Sequence, residues 1–243
     1  MKRHLPNLIT LLNLACGTTA IVFTLEGQWQ LAVYLVLAAS VLDFLDGFAA
    51  RLLNAGSRTG KQLDSLADMV SFGVLPAVFI YTLFQMLFQN QALETGRVGG
   101  PMQWVILGSV LLVPVCSAIR LARFAQEEEE GSFFYGLPTP AHTLFWTGIF
   151  WQLMERGNLY GTPMNIYFMW AIMLIMAFHM ILPVPMYSLK FEHFRLHGNL
   201  IRYFLLLLAV LTLVFAGLGG LPLVILVYIL LSLLNLLLAK RVS

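Results

Sequence analysis

Hydrophobic residues fill most of this chain in long runs, and short polar stretches separate the runs. A helix needs roughly 20 apolar residues to span about 30 Å of hydrocarbon. The pattern predicts eight membrane-spanning helices, the fifth the shortest: Leu8–Leu25, Gln30–Leu53, Leu63–Phe88, Trp104–Phe124, Ala141–Met154, Met164–Leu182, Ile201–Ala216 and Leu221–Leu238. The expected fold is an all-α, polytopic membrane helical bundle. It forms one domain over residues 1–243, with a signature core in 1–145 and additional helices in 146–243.

The composition favours this class over a soluble helical domain. Of the 243 residues, 59% are hydrophobic and 11% are charged, and the mean hydropathy is +0.82. A soluble domain carries roughly 45–50% apolar and about 25% charged residues. The chain has too little polar surface for a soluble protein, so the lipid bilayer is its expected surrounding. The net charge of +2 gives no sign of a nucleic-acid partner, and none is expected.

The positively charged residues predict how the bundle is oriented. If eight helices bring both termini to one side, only Arg97 and Arg156 of the 14 Lys and Arg residues fall on the other side. Cytoplasmic loops carry the Lys and Arg excess. Both termini are therefore expected in the cytoplasm, with the protein in the cell (inner) membrane. The residues on the expected cytoplasmic side are Lys2, Arg3, Arg51, Arg58, Lys61, Arg120, Arg123, Lys190, Arg195, Arg202, Lys240 and Arg241.

All the aspartates of the chain lie where the second predicted helix ends and the third begins: Asp43, Asp46, Asp64 and Asp68. Ionisable residues in membrane segments are costly and mark functional sites by default. At about 100° per residue, the first two share a helix face with Gly47 and Ala50, and Arg51 lies just beside them. The other two lie one turn apart on the next helix, with Gly60 one turn earlier. Two helices joined by a short turn can therefore direct four carboxylates into one cleft at the cytoplasmic face.

Four carboxylates in one cleft repel one another unless cations compensate their charge. Hard divalent ions with oxygen ligands do so, and Mg²⁺ commonly shares its ligands with substrate phosphates. Two ions holding a pyrophosphate would favour displacement at phosphorus. The small residues Gly47 and Ala50 would let a nucleotide approach the backbone, and Arg51 would present a fork to its phosphates.

A structural role and a transport role also stay open for these carboxylates. They could cap helices and pair with Arg51, Arg58 and Lys61. They could also serve as cation or proton relays in an ion-coupled transporter. Transporters usually place such groups near the midplane of the bilayer, often within broken helices, whereas these lie at the end of a span beside a basic turn.

The spacing D-x2-D-G-x2-A-R-x8-G-x3-D-x3-D from Asp43 to Asp68 resembles, without a departure, the signature of the CDP-alcohol phosphatidyltransferase family. This resemblance implies an enzyme that moves a phosphatidyl group from a CDP-linked lipid to an alcohol and releases CMP. It implies that the four aspartates hold two divalent ions, Mg²⁺ or Mn²⁺, and that Asp68 is the catalytic base for the acceptor hydroxyl. By the same resemblance, the residues along the CDP moiety are Gly47, Ala50, Arg51 and Gly60.

The residues around the signature resemble the branch of the family that uses serine. The matching stretches are D-S-L-A-D-M-V-S-F-G-V-L-P-A at Asp64–Ala77, R-L-A-R-F at Arg120–Phe124 and G-L-P-T-P-A at Gly136–Ala141. This branch implies CDP-diacylglycerol and L-serine as substrates, with a homodimer as the assembly. Glycerol 3-phosphate and inositol phosphate stay open as acceptors for the same chemistry.

Two further groups of residues are candidates for substrate contacts. One face of the first predicted helix carries Asn7, Thr10, Asn13 and Gly17. Asn7 and Thr10 are predicted to contact cytidine or phosphate, with helix capping and interhelical packing as the alternative. Arg120 and Arg123 lie one turn apart and are candidates for binding the acceptor carboxylate; snorkelling to lipid headgroups is equally open. Residues 136–138 form either a simple turn or a lid over the acceptor.

Overall fold

The computed structural model describes residues 4–53, 55, 57–95, 100–125, 133–155, 165–187 and 199–242. Nearly all of them lie in helices. The elements in chain order are α1 (Leu5–Leu25), α2 (Trp29–Leu52), α3 (Arg58–Asp68), a π-helical turn (Met69–Val74), α4 (Leu75–Thr95), α5 (Pro101–Ser109), α6 (Leu112–Phe124), β1 (Phe133–Tyr135), α7 (Thr139–Glu155), α8 (Ile166–Ile181), β2 (Pro185–Tyr187), α9 (Leu200–Ala216), a 3₁₀ turn (Gly217–Gly220) and α10 (Leu221–Val242).

The predicted all-α, polytopic class is confirmed, and the chain is a multi-pass membrane protein. Helix is present in each of the eight predicted segments. Within the described ranges, five helical runs are long and apolar enough to cross a membrane: Leu5–Leu25, Trp29–Leu52, Arg58–Ala92, Pro101–Phe124 and Leu200–Leu234. Ile166–Ile181 is a shorter apolar helix. The count of eight spans and the orientation of the termini stay predictions.

The third helical run begins earlier than the hydrophobic pattern indicates. It starts at Arg58 rather than Leu63, because the side chain of Ser57 caps it by accepting the Gly60 N–H at 3.0 Å. A serine at this position satisfies one of the free N–H groups of the first turn. The run then continues through the π-helical turn into α4, so that α3 and its two aspartates are held on one long helical unit.

The centre of the bundle is a packed apolar core between α4, α7 and α8. The rings of Phe79 on α4 and Phe150 on α7 stack with their centroids 4.2 Å apart. Trp146 on α7 and Met173 on α8 are fully buried in the same core. Gly148 lets α7 approach the 3₁₀ turn and the start of α10, since a Cβ there would lie 2.9 Å from both the carbonyl oxygen of Leu218 and the Cγ of Pro222.

One small antiparallel sheet joins two connections of the bundle, and the sequence did not predict it. Strand β1 pairs with β2, with Phe134 opposite Met186. Gly136 follows β1 in the left-handed region, at φ +79°, and donates its N–H to the carbonyl oxygen of Val184 at 2.8 Å. Leu137 is buried and donates its N–H to the carbonyl oxygen of His179 at 3.0 Å. Residues 136–138 therefore form a turn fixed against the end of α8, the simpler of the two predicted roles.

Candidate active site

Three of the four aspartates come together between α2 and α3. Asp43 on α2, and Asp64 and Asp68 on α3, each place one carboxylate oxygen within 4.8 Å of the others. All three side chains are partly buried. The helical spacing of the signature therefore brings its two halves to one place. We call this group the carboxylate cluster.

The fourth aspartate, Asp46, lies beside the carboxylate cluster but outside the group of atoms within 4.8 Å. It is buried, and its Oδ2 accepts a hydrogen bond from the hydroxyl of Thr10 on α1 at 2.6 Å. Its charge still acts on all three members of the cluster. Asp46 is thus tied to α1 while remaining part of the same negative site.

The carboxylate cluster fits a divalent cation. Oδ1 of Asp64 is buried and has no hydrogen-bond partner among the described residues. A buried charged group without a partner is costly unless a counter-charge compensates it. The donor set consists of carboxylate oxygens only, and hard ions such as Mg²⁺ and Mn²⁺ prefer these ligands.

The nearby cationic side chains and helix ends do not account for the aspartates. Ser57 caps α3, and Asp68 makes no side-chain cap for the π-helical turn that follows it. Arg51 is exposed and its Nε donates to the Gly47 carbonyl oxygen of its own helix at 3.1 Å. Arg58 is exposed as well. The described part of the chain therefore gives no support to a capping role for the aspartates.

The polar face of α1 lies against the site. Thr10, Asn13 and Gly17 are all buried, and Nδ2 of Asn13 lies 3.5 Å from Oδ1 of Asp68. Thr10 contacts Asp46 on α2, and Asn13 contacts Asp68 on α3. These contacts are the kind that the interhelical-packing alternative predicts. The predicted contact of Thr10 with cytidine or phosphate stays a prediction.

Asn7 lies inside α1 and is not its cap, because His4 occupies the N-cap position. The capping alternative for Asn7 is therefore wrong. Oδ1 of Asn7 lies 3.1 Å from where a Cβ on Gly60 would be. Gly47 has open space in front of its Cα, with no atom within 4 Å of an added Cβ. These residues were predicted to lie along the CDP moiety, and that assignment stays a prediction.

A π-helical turn follows directly after Asp68, and it was not predicted from the sequence. Two hydroxyl groups hold this turn. Ser71, within the turn, donates to the carbonyl oxygen of Asn13 at 3.2 Å, and the hydroxyl of Thr143 on α7 lies 3.1 Å from the carbonyl oxygen of Phe72. Turns of this type frequently occur at functional sites. The one sequence signal was the pair of small residues, Ser71 and Gly73, within a run of large apolar ones.

The two candidate arginines have different surroundings. Arg120 is 7% exposed, and its guanidinium lies over the Phe124 ring at 5.4 Å from the centroid. Arg123 is exposed and donates from Nη1 to the carbonyl oxygen of Ile181 at 2.7 Å, at the C-terminal end of α8. The burial of Arg120 speaks against snorkelling for that residue, and Arg123 acts as a helix cap.

Both arginines border one cleft, which we call the arginine cleft. Its lining residues are Arg120, Arg123, Phe124, Tyr135, Met180, Ile181 and Leu182. Helix α6, which carries the arginines, also packs against the π-helical turn, where the Cβ of Ser117 lies 3.2 Å from a Cβ added to Gly73. One helix thus connects the arginine cleft to the turn that follows Asp68.

The fold and the carboxylate cluster define a class of protein: a multi-pass helical membrane protein whose acidic site has the ligand set that fits a divalent cation. The family model for CDP-alcohol phosphatidyltransferase matches residues 3–184. The chain belongs to this family, as the signature predicted. The matched residues include all four aspartates and both arginines of the arginine cleft.

Several curated proteins are similar to the chain. A CDP-diacylglycerol–serine O-phosphatidyltransferase of Mycobacterium bovis is 38% identical over 174 residues, which cover 69% of this chain and 56% of that protein. The Bacillus subtilis protein of the same name is 35% identical over 137 residues, 56% of this chain and 70% of that one. An archaetidylserine synthase of Methanothermobacter thermautotrophicus is 33% identical over 138 residues, 56% of this chain and 53% of that protein. The chain spans little more than half the length of the mycobacterial relative.

Proposed function

We propose that this protein transfers a phosphatidyl group from CDP-diacylglycerol to L-serine and forms phosphatidylserine and CMP. The observation that carries the proposal is the carboxylate cluster of Asp43, Asp64 and Asp68, formed by the family signature. The names of the relatives favour serine as the acceptor, because the phosphatidyltransferases among them are named for serine as acceptor and the archaetidyl enzyme for a serine product.

The four aspartates would hold two divalent ions, Mg²⁺ or Mn²⁺, with the carboxylate cluster as the main ligand group. When bound, such ions neutralise the diphosphate of the donor and make its phosphorus easier to attack. The buried Oδ1 of Asp64, which has no partner among the described residues, supports this assignment. Asp46 would complete the site from its place beside Thr10.

Asp68 would be the catalytic base. It accepts the proton of the serine hydroxyl while the serine oxygen forms a bond to the lipid-side phosphorus. The bond between that phosphorus and the CMP oxygen breaks, and CMP leaves with the electron pair. Nδ2 of Asn13, 3.5 Å from Oδ1 of Asp68, helps to keep this carboxylate turned toward the site.

The CDP moiety would lie along Gly47, Ala50, Arg51 and Gly60, with Asn7 and Thr10 on the facing side of α1. The open space in front of Gly47 supports a close approach of the nucleotide to α2. Arg51 is exposed beside it and would pair with phosphate. The acceptor carboxylate would pair with the guanidinium of Arg120 in the arginine cleft, and Arg123 would lie at its edge.

The membrane arrangement that accompanies this function has eight spans, with both termini and the active site at the cytoplasmic face of the inner membrane. Helices at all eight predicted segments and the distribution of Lys and Arg support it. Part of that charge argument falls on residues outside the described ranges, namely Lys2, Arg3, Arg97, Arg156, Lys190 and Arg195. We propose a homodimer as the assembly.

The direct test is CMP release by the purified protein. It is incubated with CDP-diacylglycerol, Mg²⁺ or Mn²⁺, and in separate reactions L-serine, glycerol 3-phosphate or inositol phosphate. The expected result is CMP release only in the reaction that contains L-serine as the acceptor. Release with glycerol 3-phosphate or inositol phosphate alone would keep the chemistry and change the acceptor. No release with any alcohol would overturn the proposal and revive an ion-coupled transporter.

A further inference from the structure

Helix α10 holds the last residue of the small sheet through both of its backbone groups. The hydroxyl of Tyr228 donates to the carbonyl oxygen of Tyr187 at 3.1 Å. The N–H of Tyr187 donates to Oγ of Ser232 at 3.2 Å. Tyr228 and Ser232 lie one turn apart on α10, and they are 3% and 2% exposed. Backbone groups that β2 does not use within the sheet thus find partners on α10, as buried backbone groups require.

Helix α9 holds the same residue from another side. The guanidinium of Arg202 lies over the ring of Tyr187, 5.1 Å from its centroid. Arg202 is itself 9% exposed and donates from Nη1 to Oδ1 of the buried Asn199. Tyr187 is therefore fixed by its backbone to α10 and by its ring to α9. We call Tyr228 and Ser232 the α10 clamp.

The small sheet connects the anchored residue Tyr187 to the arginine cleft. In the register of the two strands, Phe133 is opposite Tyr187 and Tyr135 is opposite Pro185. Tyr135 lines the arginine cleft together with Arg120 and Arg123. A movement of β2 away from α10 would therefore shift β1 and one wall of the cleft.

The charge of Arg120 also acts on the hydroxyl group of Tyr228. Arg120 is the buried charged residue of the arginine cleft. This electrostatic effect accompanies the structural link between the clamp and the cleft, which is the pair of strands.

We infer that Tyr228 and Ser232 are positioning residues that fix the shape of the acceptor-binding cleft through β2 and β1. The inference rests on the proposed function, in which the arginine cleft takes the acceptor carboxylate. Both residues lie beyond residue 184, where the match to the family model ends. The C-terminal helix pair thus adds an acceptor-side support to the shared catalytic core.

The test compares Tyr228→Phe and Ser232→Ala with the unaltered protein in two measurements. The first is the KM for L-serine, the KM for CDP-diacylglycerol and kcat. The second is hydrogen exchange of the backbone amides of Met186 and Tyr187. Tyr167→Phe is the matched control, because Tyr167 is half exposed on α8 and far along the chain from the clamp. Tyr228→Phe keeps the ring, so the packing of α10 is preserved.

We expect faster exchange at these amides in both variants. We also expect the KM for serine to rise about fivefold, the factor that one neutral hydrogen bond typically contributes. The KM for CDP-diacylglycerol and kcat should change by less than about twofold, which is less than the loss of one hydrogen bond would cause. Tyr167→Phe should match the unaltered protein in both measurements.

Three outcomes would overturn the inference. Unchanged exchange would show that the clamp does not hold β2. Faster exchange with an unchanged KM for serine would mean that the clamp has a purely structural role. The same would follow if the KM for serine and the KM for CDP-diacylglycerol rose equally. If the unaltered protein released no CMP with any alcohol, the proposed function itself would be refuted. This failure is distinguishable from failure of the inference, because it concerns the unaltered protein and not the variants.

Discussion

The hydroxyl of Thr10 on α1 lies 2.6 Å from Oδ2 of Asp46 on α2, and both side chains are buried. This bond joins the first helix to the aspartate signature. It also gives a buried carboxylate a donor from a neighbouring helix.

Thr10→Val should destabilise the protein because it leaves the Asp46 carboxylate without that donor. A hydrogen bond to a charged group contributes about 1.5–3 kcal/mol. Thermal unfolding in detergent should therefore show a lower midpoint for Thr10→Val, and Thr10→Ser should stay near the unaltered protein. Thr18→Val is the control, since Thr18 is exposed and donates its hydroxyl to the carbonyl oxygen of Leu14 in its own helix. Equal midpoints for the valine and serine variants at position 10 would show that the bond carries no stability.

Gly17→Ala should disturb the turn that follows Asp68. An added Cβ would meet Oγ of Ser71 and lie 2.9 Å from its Cα, so backbone as well as side chain has to move. We expect a lower unfolding midpoint and a clear loss of CMP release. Ser71→Gly in the same chain should restore part of both, because it removes the side-chain part of the clash.

Gly108→Ala is the matched control for this substitution. Gly108 lies in α5, and no atom lies within 4 Å of an added Cβ. Alanine is the better helix former at such a position, so stability should be equal or higher. A Gly17→Ala protein as active and stable as Gly108→Ala would mean that α1 and the π-helical turn are not in close contact.

Substitutions in the carboxylate cluster should separate metal binding from proton transfer. Asp64→Asn removes a charge from a buried oxygen that has no other partner among the described residues. It should move the Mg²⁺ titration of CMP release to higher concentration. Asp68→Asn should lose turnover even at Mg²⁺ concentrations that saturate the metal site, because the base itself is gone. Near-normal turnover of Asp68→Asn would show that the base lies elsewhere.

The two arginines of the arginine cleft should respond differently to substitution. Arg120→Gln should raise the KM for serine about tenfold or more, because a buried guanidinium bonded to a carboxylate contributes more than a neutral group does. Arg123→Gln should mainly lower the unfolding midpoint, since it loses the bond to Ile181 at the end of α8. Steady-state kinetics and thermal unfolding of both variants test these two roles. A serine KM that moves only in Arg123→Gln would reverse the two roles.

The sequence was sufficient for those parts of the site that depend on local periodicity. Asp43, Asp64 and Asp68 meet because helical spacing and a short connection leave few other arrangements. The hydrophobic runs located the helices in the same way. The start of α3 was missed because its first residues are polar, so that only the cap at Ser57 marks the boundary.

The missed features depend on contacts between residues far apart in the chain. The π-helical turn is held by Ser71 and Asn13, 58 residues apart, and by Thr143 and Phe72, 71 residues apart. Strands β1 and β2 have three residues each, too few to show an alternating pattern. The role of Arg123 depends on the end of α8 lying beside it, which no residue near Arg123 indicates.

The measurement that tests the central claim most directly follows the oxygen of the acceptor hydroxyl. The purified protein is given CDP-diacylglycerol, a divalent metal ion and L-serine with ¹⁸O in its hydroxyl group, and the products are weighed by mass spectrometry. Attack of the serine oxygen on the lipid-side phosphorus predicts phosphatidylserine that retains the label, together with unlabelled CMP. Unlabelled lipid product, release of phosphatidic acid in place of phosphatidylserine, or no product at all would contradict the account.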